Sequence, residues 1–436
     1  MAYNTKRKLI NLVTLGCSKN LVDSEKLMGQ LEASGFTLMH DSSSTKAKTV
    51  IINTCGFIKD AKEESVDTIL QFAKAKVKGK IENLYVIGCL AERYKKDLEK
   101  EIPEVNQFFG VNSLPQVLKV LGTEYRNELI GSRKQTTLPH FAYLKVSEGC
   151  DRTCAFCAIP LIRGKHISRP IEELTAEAAQ LAAKGVKELI LIAQDLTYYG
   201  LDLYKKQEIT KLIQELSKIE GIAWIRLHYA YPHKFPEDLI LEIKNNPKVC
   251  KYLDIPVQHI SNSVLLKMRR SSSKDEIVKL IAKLKAEVKG IAIRTTLLTG
   301  FPEETEADFE ELKSFIQEAR FDRLGIFPYS HEENTHAHRQ FKDNVPEKVK
   351  EARVEELMDI QQEISLQHNQ AKVGSTFRVI VDREEEEFYI GRTEFDSPEV
   401  DNEVLIEKKD IKLIAGNFYN VKITDATEYD LFGEVI

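Results

Sequence analysis

No stretch of this 436-residue chain approaches the roughly 20 consecutive apolar residues that a bilayer-spanning helix needs. A helical membrane anchor is therefore excluded. Met1 to Lys8 lacks the apolar core and small-residue cleavage region of a secretory signal, so a cytoplasmic location is expected. A large charge of either sign is also missing: 62 basic and 67 acidic residues leave a net charge of −5. Hydrophobic content of 42% and charged content of 30% describe an ordinary globular chain long enough for about three domains. In a reducing compartment the seven cysteines point to metal or redox chemistry rather than disulfides.

One further absence concerns the central motif. Cys150, Cys154 and Cys157 stand at CxxxCxxC spacing directly after the apolar run Phe141 to Val146, and no fourth cysteine follows nearby. Thiolates so spaced reach one cluster from a single loop. Three ligands on a 4Fe-4S cube leave one iron open to the amino and carboxylate groups of S-adenosylmethionine. A structural zinc site closes with four ligands, and the nearest candidate is His166. Zinc and plain burial of three thiols stay open as readings of this stretch.

The first segment, 1–133, alternates strand and helix signals and predicts a parallel sheet with helices on its faces. Its strands are read as Leu9–Leu15, Val50–Asn53 and Leu84–Ile87, with helices at Val22–Ser34, Lys59–Lys78 and Ala91–Glu101. Each strand is followed at once by a cysteine: Cys17, Cys55 and Cys89. Parallel strands end on one edge, where open α/β folds bind ligands, so a second trio of thiols is expected there. Buried small hydrophobes are the alternative.

Residues 134–370 repeat strand then helix six times and predict a partial (βα)6 barrel related to the TIM fold. The strands are read as Phe141–Ser147, Lys187–Ala193, Ala223–His228, Tyr252–Val257, Ala292–Thr299 and Arg323–Tyr329. Chemistry on such barrels sits at the carboxyl ends of the strands. That places Gln194, Asp195, Gln258, His259 and Arg294 as candidates for holding a nucleoside or amino-acid group, with capping and structural roles as the alternative. Pro346 to Gln370 reads as a long charged helix lying on the barrel. Residues 371–436 predict a small five-stranded antiparallel barrel of the oligonucleotide-binding kind. This last segment holds 16 acidic against 8 basic residues, whereas the rest of the chain holds 51 against 54. A surface tracking a phosphate backbone is basic. The barrel is therefore expected to meet a basic protein rather than nucleic acid, with a merely solvated acidic face as the other reading.

Together these pieces resemble the methylthiotransferases of the radical S-adenosylmethionine superfamily, and within them the branch modifying protein twelve of the small ribosomal subunit. The resemblance covers the whole chain. It is carried by Leu15-Gly16-Cys17-Ser18-Lys19-Asn20 with Asp23-Ser24-Glu25, Asn53-Thr54-Cys55-Gly56-Phe57-Ile58 and Glu148-Gly149-Cys150. Further pieces are Cys157-Ala158-Ile159-Pro160, Ile192-Ala193-Gln194-Asp195 and Tyr252-Leu253-Asp254-Ile255-Pro256. The family usually has proline where Ser18 stands. Its transfer-RNA branch tends to show Gln-Met at Ser18-Lys19 and a basic terminal barrel. The resemblance implies α/β architecture ending in a TRAM-type barrel, two 4Fe-4S clusters and two molecules of S-adenosylmethionine. Cys150, Cys154 and Cys157 would hold the radical-generating cluster, and Cys17, Cys55 and Cys89 the auxiliary cluster that carries the sulfur. The reaction implied is methylthiolation of an aspartate β-carbon, with a flavodoxin- or ferredoxin-type electron donor. Modification of a transfer-RNA adenosine, or a non-catalytic zinc-stabilised module, are the competing functions. Cys250 reads as structural.

Overall fold

Strand Leu9–Thr14 has the sequence LINLVT, buried throughout its interior positions. A strand covered on both faces reads as a continuous apolar run rather than an alternation. It lies in an all-parallel sheet of five strands, in the order Thr37–His40, Leu9–Thr14, Thr49–Thr54, Asn83–Gly88 and Gln107–Phe108. The computed structural model describes residues 9–129, 131–408 and 411–436, so the reading of Met1 to Lys8 lies outside the described residues. Alternate side chains of the strands feed two cores. Val13, Val50, Ile52 and Val86 meet Ile69, Phe72 and Leu90 on one face. Ile10, Leu12, Ile51 and Tyr85 meet Leu27, Met28, Leu31 and Val117 on the other.

The two outer strands were not foreseen. Thr37–His40 is partly exposed along its length and Gln107–Phe108 is only two residues long, so neither carries a clear apolar period. Two helices also begin earlier than their apolar spacing indicates, at Ser18 rather than Val22 and at Cys89 rather than Ala91. Cys17 is thereby the N-cap of its helix, and Cys89 the first helical residue. Gly16 and Gly88 make these turns at φ +86° and +97°. A side chain at Gly16 would press on the Cys55 Cβ, and one at Gly88 on the Asn53 amide.

The central sheet has six strands in chain order: Phe141–Lys145, Glu188–Ile192, Trp224–Leu227, Val249–Asp254, Ala292–Thr299 and Arg323–Pro328. Its neighbouring strands from Glu188 onward run parallel, and the sheet is open rather than a full barrel. Helix Glu237–Asn245, absent from the sequence reading, starts directly after Pro236. The long helix runs Glu347–Gln370, burying Leu357 and Ile364.

The last segment is a closed five-stranded barrel in the order Thr376–Glu384, Phe388–Arg392, Glu403–Glu407, Asp430–Val435 and Phe418–Ala426. Four of its seams are antiparallel. The expectation of a wholly antiparallel barrel is corrected at one seam, where Glu403–Glu407 and Asp430–Val435 run parallel. The segment between them carries Phe418–Ala426 across first, so the last strand returns in the same direction.

By contacts the chain divides into two units. The first comprises 1–137, 143–152 and 158–180, and the second 138–142, 153–157 and 181–436. The central strands and the terminal barrel share the second unit because buried charges join them. Glu188 accepts from Arg226 at 2.7 Å and pairs with Arg392 of the barrel at 2.8 Å. Arg392 also clasps Asp382 at 2.6 Å, and Arg226 donates to the Glu394 carbonyl at 2.7 Å.

Candidate functional site

In the first unit, Cys17, Cys55 and Cys89 lie just past the carboxyl ends of three adjoining parallel strands. Cys17 is exposed, while Cys55 and Cys89 are buried. Asn20, one turn into the helix that Cys17 caps, knits these strand ends together. Its amide donates at 3.0 Å to the carbonyls of Leu15 and Thr54, and its Oδ1 accepts from the Cys89 thiol at 3.6 Å. Asn53 donates in turn to the Asn20 carbonyl and to Ser24, both at 2.9 Å. The Ser65 hydroxyl holds the Cys55 backbone from both sides, accepting from its N–H at 3.0 Å and donating to its carbonyl at 2.9 Å.

Burial pushes the Cys89 thiol up to about 12, with the Arg163 guanidinium pulling the other way and Cys17 and Cys55 adding to the rise. Burial likewise raises Cys55. The three sulfurs therefore act on one another, and for Cys55 and Cys89 losing the proton is costly until a cation replaces it.

Arg163, at the end of the short helix Ile159–Arg163, is a buried cation of this region, as is Lys145. Its Nη1 donates to Asp23 at 3.1 Å and to both oxygens of Glu148 at 2.9 and 3.0 Å. Its Nη2 donates to Asn20 Oδ1 at 2.5 Å. Lys145 pairs with Asp23 and, at 2.7 Å, with Glu148. Burial by itself opposes the charge on Glu148, but Lys145 and Arg163 overcome it and hold the carboxyl well below the ordinary range. Arg163 is likewise penalised by burial and held charged by Asp23 and Glu148. The four charges balance, which is the condition for keeping them out of water.

Glu148 leads into the cysteine loop. Gly149 sits at φ +73°, with any Cβ blocked by the Lys165 carbonyl. The Cys150 N–H donates to the Gly164 carbonyl at 3.1 Å, and the Arg152 N–H points at the Cys150 sulfur from 3.4 Å. In the second unit, Cys154 Sγ lies 3.9 Å from the Tyr231 hydroxyl and 3.6 Å from Arg270 Nη1. The Arg270 guanidinium also stacks 4.2 Å above the Tyr231 ring. The Cys157 N–H closes the turn on the Cys154 carbonyl at 3.2 Å. Hydrogen bonds to ligating sulfur are one of the means by which a protein tunes a cluster.

Among the described residues, no three His, Cys, Asp or Glu side chains are gathered round one point that would hold a single metal ion. A four-iron cluster makes a different demand, since its thiolates bind separate irons. His166, the candidate fourth zinc ligand, turns its Nε2 to Ser168 at 3.0 Å and its backbone N–H to Asp151.

The other candidates are placed as follows. Asp195 is buried and caps a short 3-10 turn, accepting from the Thr197 N–H at 3.0 Å and hydroxyl at 2.7 Å. Gln194 precedes it, half-buried. Gln258 adopts φ +74° at the strand ends and bridges to Leu297. His259 is fully buried, with Nδ1 accepting from the Ser261 N–H and Nε2 3.7 Å from Glu304. Arg294 is committed to the terminal barrel, donating to Asp401 at 2.5 Å and to the Val400 carbonyl at 3.0 Å. Cys250 is buried in an apolar cluster with Trp224, Tyr252 and Ile380.

Sequence reasoning missed Asn20, Arg163, Tyr231 and Arg270 as site residues. Asn20 and Glu148 stand inside the quoted motifs, and Arg163 follows Cys157-Ala158-Ile159-Pro160 by three positions. Their chemistry was visible, but their convergence depends on the fold. Tyr231 and Arg270 gave no local signal.

Comparison with known proteins matches three stretches. Residues 9–110 match the profile described as uncharacterized protein family UPF0004, residues 144–316 the radical SAM superfamily, and residues 373–436 the TRAM domain. The ribosomal protein uS12 methylthiotransferase RimO of Flavobacterium johnsoniae is 56% identical over 430 residues, covering 98% of each chain. The protein of the same name from Bacteroides fragilis is 55% identical, covering 99% of this chain and 100% of its own. Among solved structures, the radical S-adenosylmethionine methyltransferase TsrM from Kitasatospora setae, with cobalamin and a [4Fe-4S] cluster bound, superposes with a TM-score of 0.55. The match covers 74% of this chain and 75% of that one at 12% identity, a likeness of fold alone.

Proposed function

Because this chain belongs to the family of ribosomal protein uS12 methylthiotransferases named RimO, we propose that it transfers a methylthio group to the β-carbon of an aspartate in uS12. The residues fit the groups this requires. Soft thiolates are the ligands of iron–sulfur clusters, and two separate sets of three occur here, with Arg270 addressing Cys154 in one and Arg163 standing beside Cys89 in the other. Cys150, Cys154 and Cys157 would hold one cluster together with S-adenosylmethionine. Cys17, Cys55 and Cys89 would hold a second. Bound there, cluster and S-adenosylmethionine supply the one-electron chemistry that activates an unreactive carbon–hydrogen bond.

The chain's own residues do the positioning. Asn20 fixes the three strand ends that carry the N-terminal thiols. Ser65 locks the Cys55 backbone. Tyr231 and Arg270 face Cys154, and the balanced charges of Asp23, Lys145, Glu148 and Arg163 hold the strand that leads to Cys150. The acidic terminal barrel suits a basic ribosomal protein as substrate, a flavodoxin or ferredoxin would deliver electrons, and the reaction belongs in the cytoplasm. The observation that carries this reading is the second trio, with Cys17, Cys55 and Cys89 brought to one sheet edge around Asn20. Anaerobic reconstitution followed by mass analysis of uS12 tests it. About eight irons per chain and one methylthio increment on a single aspartate are expected. A colourless protein with tightly bound zinc would end the proposal.

A further inference from the structure

A reaction using two sulfur sites needs them fixed relative to one another, because a misplacement of about 1 Å can cost on the order of a hundredfold in rate. Within the first unit, one side chain touches the supports of both. Arg163 reaches Glu148, two residues before Cys150, through Nη1. The same guanidinium reaches Asn20 through Nη2 and stands as a hydrogen-bonding cation beside the Cys89 sulfur. Cys150 is tied back to the residue after Arg163 through the Gly164 carbonyl. Arg163 is 4% exposed, and Lys145 is 5% exposed. This is a rigid, charge-balanced strut and not a surface pair.

We propose that Arg163 is a positioning residue that sets Cys150 in register with Cys89, so that S-adenosylmethionine cleavage at the first site is spent on sulfur transfer from the second. The inference rests on the two-cluster reading above. Arginine is required because the two contacts leave from two different nitrogens of a planar fork. A lysine would retain the charge between Asp23 and Glu148 and lose the arm to Asn20.

The test uses reconstituted full-length Arg163→Lys alongside wild type. Iron and sulfide are measured first, then 5′-deoxyadenosine formed per methylthio group transferred, then the magnetic interaction between the two reduced clusters by electron paramagnetic resonance. The lysine variant should keep wild-type iron. It should form about tenfold more 5′-deoxyadenosine per product, the scale on which outer contacts act at metal sites, with an altered spin interaction. Asp23→Asn, which loosens the strut from a half-buried position, should move both readouts the same way. An unchanged ratio and spectrum at full iron content would overturn the proposal. So would loss of one cluster in the lysine variant, since Arg163 would then be building a site and not registering two. About four irons in the wild type would instead bring down the two-cluster reading itself.

Discussion

Cys55 and Cys154 each belong to a different set of three sulfurs, so alanine at either position separates the two sites. Cys154→Ala removes the sulfur facing Tyr231 and Arg270. It is expected to abolish S-adenosylmethionine cleavage while about half of the iron remains. Cys55→Ala removes the thiol that packs against Gly16 and keeps the backbone that Ser65 holds. It should leave cleavage within a few-fold of wild type and stop methylthio transfer, as read by 5′-deoxyadenosine and uS12 mass. Normal transfer by Cys55→Ala would refute the assignment of the second trio.

A different residue-scale test concerns His259, which burial drives down to about 3 from its usual 6.5. The folded state therefore binds fewer protons than the unfolded state between those values. Stability is complete above about 6.5 and falls as pH drops toward 3, with a limiting slope of about 1.4 kcal/mol per pH unit. Melting curves at pH 7 and pH 5 should show a smaller loss in His259→Gln than in wild type. Equal losses would mean that the ring is not the titrating group.

At the scale of elements, strand Glu188–Ile192 does two jobs. Its apolar side chains fill the central core, and Glu188 at its head stands between Arg226 of the next strand and Arg392 of the terminal barrel. Burial raises the cost of charging Glu188, but Arg392 and Arg226 hold it ionised below its ordinary range. Removing one partner of a buried network strands the others. Glu188→Ala is therefore expected to cost about 3–5 kcal/mol in denaturant unfolding. The six central strands, the long helix and four of the five barrel strands, all but Asp430–Val435, were legible because their apolar periods are continuous. The edge strands Thr37–His40 and Gln107–Phe108 and the helix Glu237–Asn245 were not, being short and held by neighbours and not by their own pattern. The helices at Ser18 and Cys89 began early for a related reason: capping turns built on Gly16 and Gly88 carry no hydrophobic period.

Across the whole molecule, charge is divided unevenly. The terminal 66 residues hold the excess of acid, and Glu384 to Glu387 form an exposed tip at the turn after the first barrel strand. A basic protein partner should bind this surface with an affinity that falls as salt rises. Replacing Glu385, Glu386 and Glu387 with lysine should lower uS12 binding by about tenfold at low salt and flatten its salt dependence. Unaltered binding would place the recognition surface elsewhere. The sequence reading sets 371–436 apart by its composition, and the barrel shares a contact unit with the central strands. Composition marks where the chain changes character, but not where two segments exchange buried salt bridges.

The chain's own order of residues determined the parallel sheet, the six-stranded centre, the small barrel and the place of Cys17, Cys55 and Cys89 just after their strands, because apolar period is local and repeats within a few residues. Only the tertiary structure decided that Arg294 serves Asp401, that His166 turns to Ser168, and that Arg163 joins Glu148 to Asn20. The Arg294–Asp401 and Arg163–Asn20 contacts span 107 and 143 residues of sequence, so they depend on what the fold brings together when water is excluded, and a buried charge takes whichever partner the fold delivers.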